Sequence, residues 1–154
     1  MQKILWLDDE SLSISFERDI LIPDEIVDVE LKIITFEKIN ELMEYTVSQE
    51  VGHRDIFIVD VMLIDEKEIV LRNSKTIPIP DDLMAGATLY IEFISEAYPN
   101  NPIILYTSRE HSGNVFQHIT NDKRYNDTLF LIDKWKKDTE FISVLKNLVG
   151  DDNE

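Results

Sequence analysis

Short apolar runs alternate with stretches in which apolar residues recur every three or four positions. Lys3 to Leu7 is a bounded apolar run and predicts a buried strand. Ser11 to Ile22 has helical spacing, with Ser11 as N-cap and Pro23 just past its end. Val29, Leu31 and Ile33 alternate with Glu30 and Lys32, the pattern of a half-exposed strand at a sheet edge. Phe36, Ile39, Leu42, Met43 and Val47 predict a helix capped by Thr35. "DIFIVDV" (55 to 61) is a strand, apolar inside except for Asp60. Ala87, Tyr90, Ile91, Ile94 and Ala97 mark a helix closed by Pro99. "PIILYTS" (102 to 108) and "TLFLIDK" (128 to 134) are two further strands, with a short helix around Val115, Phe116 and Ile119 between them. A last helix runs from about Asp138 to Leu148, and Gly150 is its expected stop.

Five strand–helix units with near-continuous apolar strands predict an α/β, doubly wound (βα)5 fold, a parallel sheet covered on both faces. Right-handed crossovers then bring every strand's carboxyl end to one edge, where open α/β sheets bind ligands. Residues 64 to 83 break the rhythm, being too long for an ordinary strand–helix loop. Within them "EIVLRN" and "TIPIP" could pair as a hairpin that gates the edge, binds a partner or covers the core. The expected organisation is one domain over 1–150 with an insertion at about 64–83, and an acidic tail at 151–154.

Composition narrows the class. The chain has 154 residues, 44% hydrophobic and 30% charged, within the range of a globular domain. Its formal net charge of −16 argues against direct nucleic-acid binding and against anionic membranes. With no cysteine there is no disulfide or thiolate chemistry. Neither a signal peptide nor an apolar run of membrane-spanning length is evident, so a cytoplasmic protein is expected.

Placed on this frame, the chemistry-bearing residues converge. Asp8 and Asp9 end the first strand, Asp60 the third, Thr107 and Ser108 the fourth, and Lys134 follows the fifth. Clustered carboxylates oppose one another's ionisation, and a hard divalent cation such as Mg2+ relieves the conflict. A carboxylate beside such a cation can act as a nucleophile towards phosphorus, with Lys134 and Thr107 holding the phosphoryl oxygens. Glu10 is read as first-turn charge, Trp6 and Tyr106 as core or rim aromatics, and the three histidines as surface residues.

"WLDDE", "IVDVML", "LYTS" and "IDK", in this order along essentially the whole chain, resemble the motifs of response-regulator receiver domains of two-component signalling. The resemblance implies a flavodoxin-like strand order 2-1-3-4-5 and a Mg2+-dependent site. In it Asp60 would be the phosphoacceptor, Asp9 a direct metal ligand, and Asp8 a ligand largely through water. The Met62 carbonyl would be a third ligand, Thr107 would follow the phosphoryl group, and Lys134 would pair with Asp60. Arg109, two past Thr107, falls where the family modulates loss of the phosphoryl group. The implied function is a single-domain response regulator that takes its phosphoryl group from a sensor histidine kinase or histidine phosphotransfer protein. It would signal through a downstream protein target, and is not an enzyme beyond its own phosphorylation and dephosphorylation.

The sequence also departs from that pattern. Trp135 stands where the family has a proline after the lysine, which predicts a trans bond and some displacement of Lys134. Leu131 holds the usual aromatic switch position, and Phe130 should face the other way. Ile64 replaces a loop proline, and Gly86 comes 26 positions after Asp60, an insertion of roughly 18 residues against the usual spacing. These departures favour an alternative, a receiver-like binding scaffold that does not switch. A dinucleotide-binding enzyme is disfavoured because no glycine-rich loop follows the first strand. A magnesium-dependent phosphohydrolase remains chemically open, and would need turnover of external phosphate esters.

Overall fold

A computed structural model describes residues 1–107, 114–134 and 137–150. Its centre is a five-stranded parallel sheet of β1 (Gln2–Leu7), β2 (Leu31–Phe36), β3 (Ile56–Asp60), β6 (Ile103–Thr107) and β7 (Leu129–Asp133). The order is β2-β1-β3-β6-β7, the expected 2-1-3-4-5 arrangement of an α/β flavodoxin-like fold. A separate antiparallel hairpin, β4 (Glu68–Val70) with β5 (Thr76–Pro78), lies in the insertion, as its two apolar segments suggested.

Strand alternation divides the core into two layers. Leu5, Leu7, Phe57, Val59 and Leu105 point to one face, where they meet the helix Ile39–Ser48 and the run beginning at Ala85. Ile4, Trp6, Ile56, Ile58, Ile104 and Tyr106 point to the other, against the first helical run and Phe141, Ile142 and Leu145 of the last. Both faces of every central strand are therefore apolar, which explains the unbroken hydrophobic runs. Leu131 packs on the first face and Phe130 against the second, as period-two alternation requires.

Three boundaries differ from the sequence reading. The first helical run does not stop before Pro23. It consists of Ser11–Ile14, Glu17–Leu21 and Ile22–Glu25, with Pro23 inside its last segment. The turn ahead of the proline is widened, Ile22 N–H reaching the Glu17 carbonyl five residues back. Loosening of this kind lets a helix accommodate a residue that lacks an N–H and crowds the preceding turn.

The edge strand starts later than Val29 and ends at Phe36, so Thr35 is a strand residue and not a cap. Phe36 sits opposite Leu7, is buried, and accepts the Asp8 N–H at 2.9 Å. That pairing overrides the accident that Phe36 falls at helical spacing from Ile39. The helix starts instead at Ile39, with Lys38 at its N-cap. The Glu41 carboxylate accepts the Glu37 and Lys38 N–H groups at 2.8 and 3.1 Å. No helix among the described residues is long and apolar enough to cross a membrane.

Candidate functional site

The carboxyl ends of β1 and β3 lie side by side, with Leu7 opposite Val59. Burial of the strands fixes where the chain leaves the sheet, and the next residues are Asp8 and Asp60. Their side chains cannot escape to water: Asp8 is 1% exposed and Asp60 6%. Asp9 is half-buried beside them. One carboxylate oxygen from each of Asp8, Asp9 and Asp60 lies within 4.8 Å of the others.

Lys134 closes the group from the end of β7. Its ammonium donates to Asp60 Oδ2 at 3.0 Å and to Asp8 Oδ2 at 3.1 Å. It also lies 5.5 Å from the centre of the Tyr106 ring, whose π face adds to the attraction. The displacement expected of Lys134 does not take it out of reach of the acids. Its neighbour Trp135 lies outside the described residues, as do Ser108, Arg109, His111 and the tail 151–154.

Backbone amides hold one further oxygen of each acid. Glu10 N–H donates to Asp8 Oδ1 at 2.8 Å and Met62 N–H to Asp60 Oδ1 at 3.2 Å. Ile64 N–H donates to Asp9 Oδ2 at 2.9 Å. Thr107 is the last residue of β6, buried, one position past the Tyr106 that pairs with Asp60. The structure thus brings Asp8, Asp9, Asp60 and Lys134 into one cluster, with Met62 bonded to it and Thr107 on the adjoining strand end. Sequence reasoning did not anticipate the Ile64 contact, the Glu10 amide or the position of the Tyr106 ring. All three are backbone or packing relations for which these residues carry no chemical signature.

Electrostatics follow from the geometry. Burial, and next the neighbouring Asp8 charge, push the Asp60 carboxyl up to about 7, with Lys134 opposing. Burial also raises Asp8 despite the Lys134 ammonium. Lys134 is itself partly desolvated, which lowers its affinity for the proton, yet Asp60 and Asp8 outweigh this and raise it. Three carboxylates with one ammonium leave a deficit of positive charge at this edge of the sheet. An octahedral cation with oxygen ligands at about 2.1 Å spans about 4.2 Å between opposite ligands, close to the extent of this donor set. The oxygen-only donors suit Mg2+ chemically.

Gly86 explains how the insertion is accommodated. Its N–H donates to the Val61 carbonyl at 2.9 Å, and a Cβ there would lie 1.8 Å from the Asp60 carbonyl oxygen. Only glycine lets the following helix approach the back of Asp60 so closely. The chain makes its excursion between Leu63 and Asp82 and returns to the same strand end, Leu63 N–H meeting the Asp82 carbonyl at 3.1 Å.

No protein-family profile and no curated protein matches the chain. Solved structures do. The signal receiver domain of an HD domain-containing protein from Pseudomonas fluorescens Pf-5 superposes with a TM-score of 0.61 at 18% identity, over 96% of this chain and 93% of that one. The response regulator TrrA of Thermotoga maritima, solved with Mg2+-BeF, gives 0.58 at 20% identity, over 96% and 99%. The RcsB response regulator of Salmonella typhimurium gives 0.62 at 17% identity, over 96% of this chain and 61% of RcsB. Strand order, site edge and these superpositions agree: the chain has the fold of the response-regulator receiver domains.

Proposed function

We propose that this chain is a receiver of two-component signalling that accepts a phosphoryl group on Asp60 from a phosphohistidine protein. The observation that carries the reading is the Asp60 carboxylate itself. It is buried at a strand end, bonded to Lys134 at 3.0 Å, and grouped with Asp8 and Asp9. Asp8, Asp9, Asp60 and the Met62 carbonyl would hold Mg2+. When bound, that ion neutralises the carboxylates and the incoming phosphoryl oxygens.

The chain's own groups do the rest. An Asp60 oxygen attacks phosphorus in line, the donor's P–N bond breaks, and its electron pair stays on the imidazole nitrogen. A C–O–P mixed anhydride results. Lys134 releases the acid and follows the negative charge onto a phosphoryl oxygen, and the Thr107 hydroxyl binds another. Tyr106 keeps the ammonium aimed at the site throughout.

A protein donor, in preference to a small metabolite, is supported by the surface next to Asp9. Leu12, Phe16 and Ile20 follow at four-residue intervals and are 87%, 47% and 52% exposed. Leu12 lines an open recess of about 510 Å³ with Asp9, Glu10, Ser13 and Glu37. Such a stripe suits an apolar helix that carries the phosphohistidine.

The test is phosphoryl incorporation from a small phosphodonor, followed by intact mass. Wild type is expected to gain one phosphoryl group only with Mg2+ present, and Asp60→Asn none. Equal labelling of Asp60→Asn would sink the proposal. A wild type that stays unlabelled while binding protein partners would favour the non-switching scaffold, the reading that Leu131 supports by filling a core position where an aromatic switch would stand.

A further inference from the structure

The insertion does more than cover the core. It grips the helix Ile39–Ser48 at both ends. The Glu66 carboxylate accepts the Ile39 N–H at 2.5 Å, at the helix N-terminus. The Arg72 guanidinium donates to the Thr46 carbonyl at 2.7 Å, in the last turn, and to the Tyr98 hydroxyl at 3.2 Å. An anion at the amino end and a cation at the carboxyl end each satisfy orphan backbone groups and complement the helix dipole. Between them Ile69 of β4 is fully buried in the core.

The same segment touches the acidic cluster. Its opening turn has Glu66 N–H on the Leu63 carbonyl at 3.4 Å, with Asp65 in the left-handed region at φ 65°. Asp65 N–H is held by Asp82 Oδ2 at 3.2 Å. This turn aims the Ile64 N–H at Asp9 Oδ2, 2.9 Å away. A non-glycine residue at positive φ is costly and persists where its surroundings hold it.

We propose that the insertion is a working part of the cation site. Ile64 orients the Asp9 carboxylate through its amide, and Glu66 and Arg72 are positioning residues that hold the turn in place from the second helix. The inference rests on the reading that Asp8, Asp9 and Asp60 bind a hard divalent cation. Supports of this kind set the direction of a ligating carboxylate. Linkage makes the relation reciprocal: cation binding tightens the grip on the helix, and loosening the grip weakens cation binding by the same factor.

Calorimetric titration with Mg2+ at pH 8, together with amide hydrogen exchange, tests it. The Glu66→Ala/Arg72→Ala protein is expected to bind Mg2+ about fivefold or more weakly than wild type. Glu66→Gln keeps an acceptor oxygen and is expected to stay within about twofold. In unmodified protein, Mg2+ is expected to slow exchange at the Ile64 and Ile69 amides, a readout that needs no variant to fold. A double variant that melts earlier yet binds Mg2+ as tightly as wild type would overturn the inference and leave the cation site standing. So would unchanged exchange in the insertion while Mg2+ binds. A wild type without Mg2+ affinity would overturn both.

Discussion

Metal-free Asp60→Asn protein is expected to be more stable than wild type at pH 8, by about 2–4 kcal/mol, and to lose that advantage near pH 4. Below the unfolded value of 3.8 the carboxyl is neutral in both states and contributes no difference. Between about 4 and 7 the folded protein keeps a proton that the unfolded chain releases. Wild-type stability therefore falls as pH rises through this window, and the loss is complete above the folded value of about 7. Three units at about 1.4 kcal/mol each set the upper figure. Asparagine has the shape of the acid without the charge, so the variant should lack the part of the pH dependence that Asp60 contributes. Asp8 is raised as well, and its contribution runs in the same direction. At the proposed cation site Mg2+ would bind the ionised form, so the stabilisation it confers on wild type should grow with pH over this interval. Urea unfolding at pH 4, 6 and 8, with and without Mg2+, measures all of this. Parallel pH profiles for the two proteins would remove the buried-charge argument.

The second large effect is expected from Lys134→Met. The ammonium is the one cationic side chain bonded to Asp8 and Asp60 among the described residues. Its removal leaves two buried carboxyls facing each other, and breaking a buried pair from one side costs about 3–5 kcal/mol. The cost should appear at pH 8 in metal-free protein and shrink at pH 5, below the value of about 7 at which Asp60 takes up a proton. Mg2+ should recover much of it, because a cation supplies the missing charge. Phosphoryl incorporation should stay low even with Mg2+, since the ion does not replace the hydrogen bonds Lys134 would give to the transferred group. If stability at pH 8 is unchanged, the ammonium is a surface charge and the site is incomplete.

What was legible in the sequence had a local signature. Apolar runs such as "KILWL" and "DIFIV" identified the central strands, and because burial fixes a strand's exit, the acids that follow were located too. Strand order added that the acids must meet. Less legible were features decided across the fold. Phe36 could not be assigned to strand or helix by spacing, because its pairing with Leu7 settles it. Pro23 signalled an end, but the packed Ile22 carries the helical run through it. The insertion announced itself by its length, and its hairpin by two apolar segments, but its contacts left no such mark. Its grip on the second helix joins Glu66 to a residue 27 positions away, and its link to Asp9 spans 55. Backbone donors such as Ile64 N–H leave no trace in residue type, so only coordinates reveal them.

The proposed function depends on Asp60 accepting a phosphoryl group inside a cation-bound carboxylate cluster. A crystal structure grown with Mg2+ and beryllofluoride tests it most directly, because beryllofluoride stands in for an acyl-bound phosphoryl group. Beryllium is expected on an Asp60 oxygen, with Mg2+ held by Asp8, Asp9, Asp60 and the Met62 carbonyl. Lys134 and Thr107 should each contact a fluorine. Beryllofluoride absent from Asp60 in crystals that do hold Mg2+, or Lys134 still bonded to Asp60 as in the free protein, would contradict it.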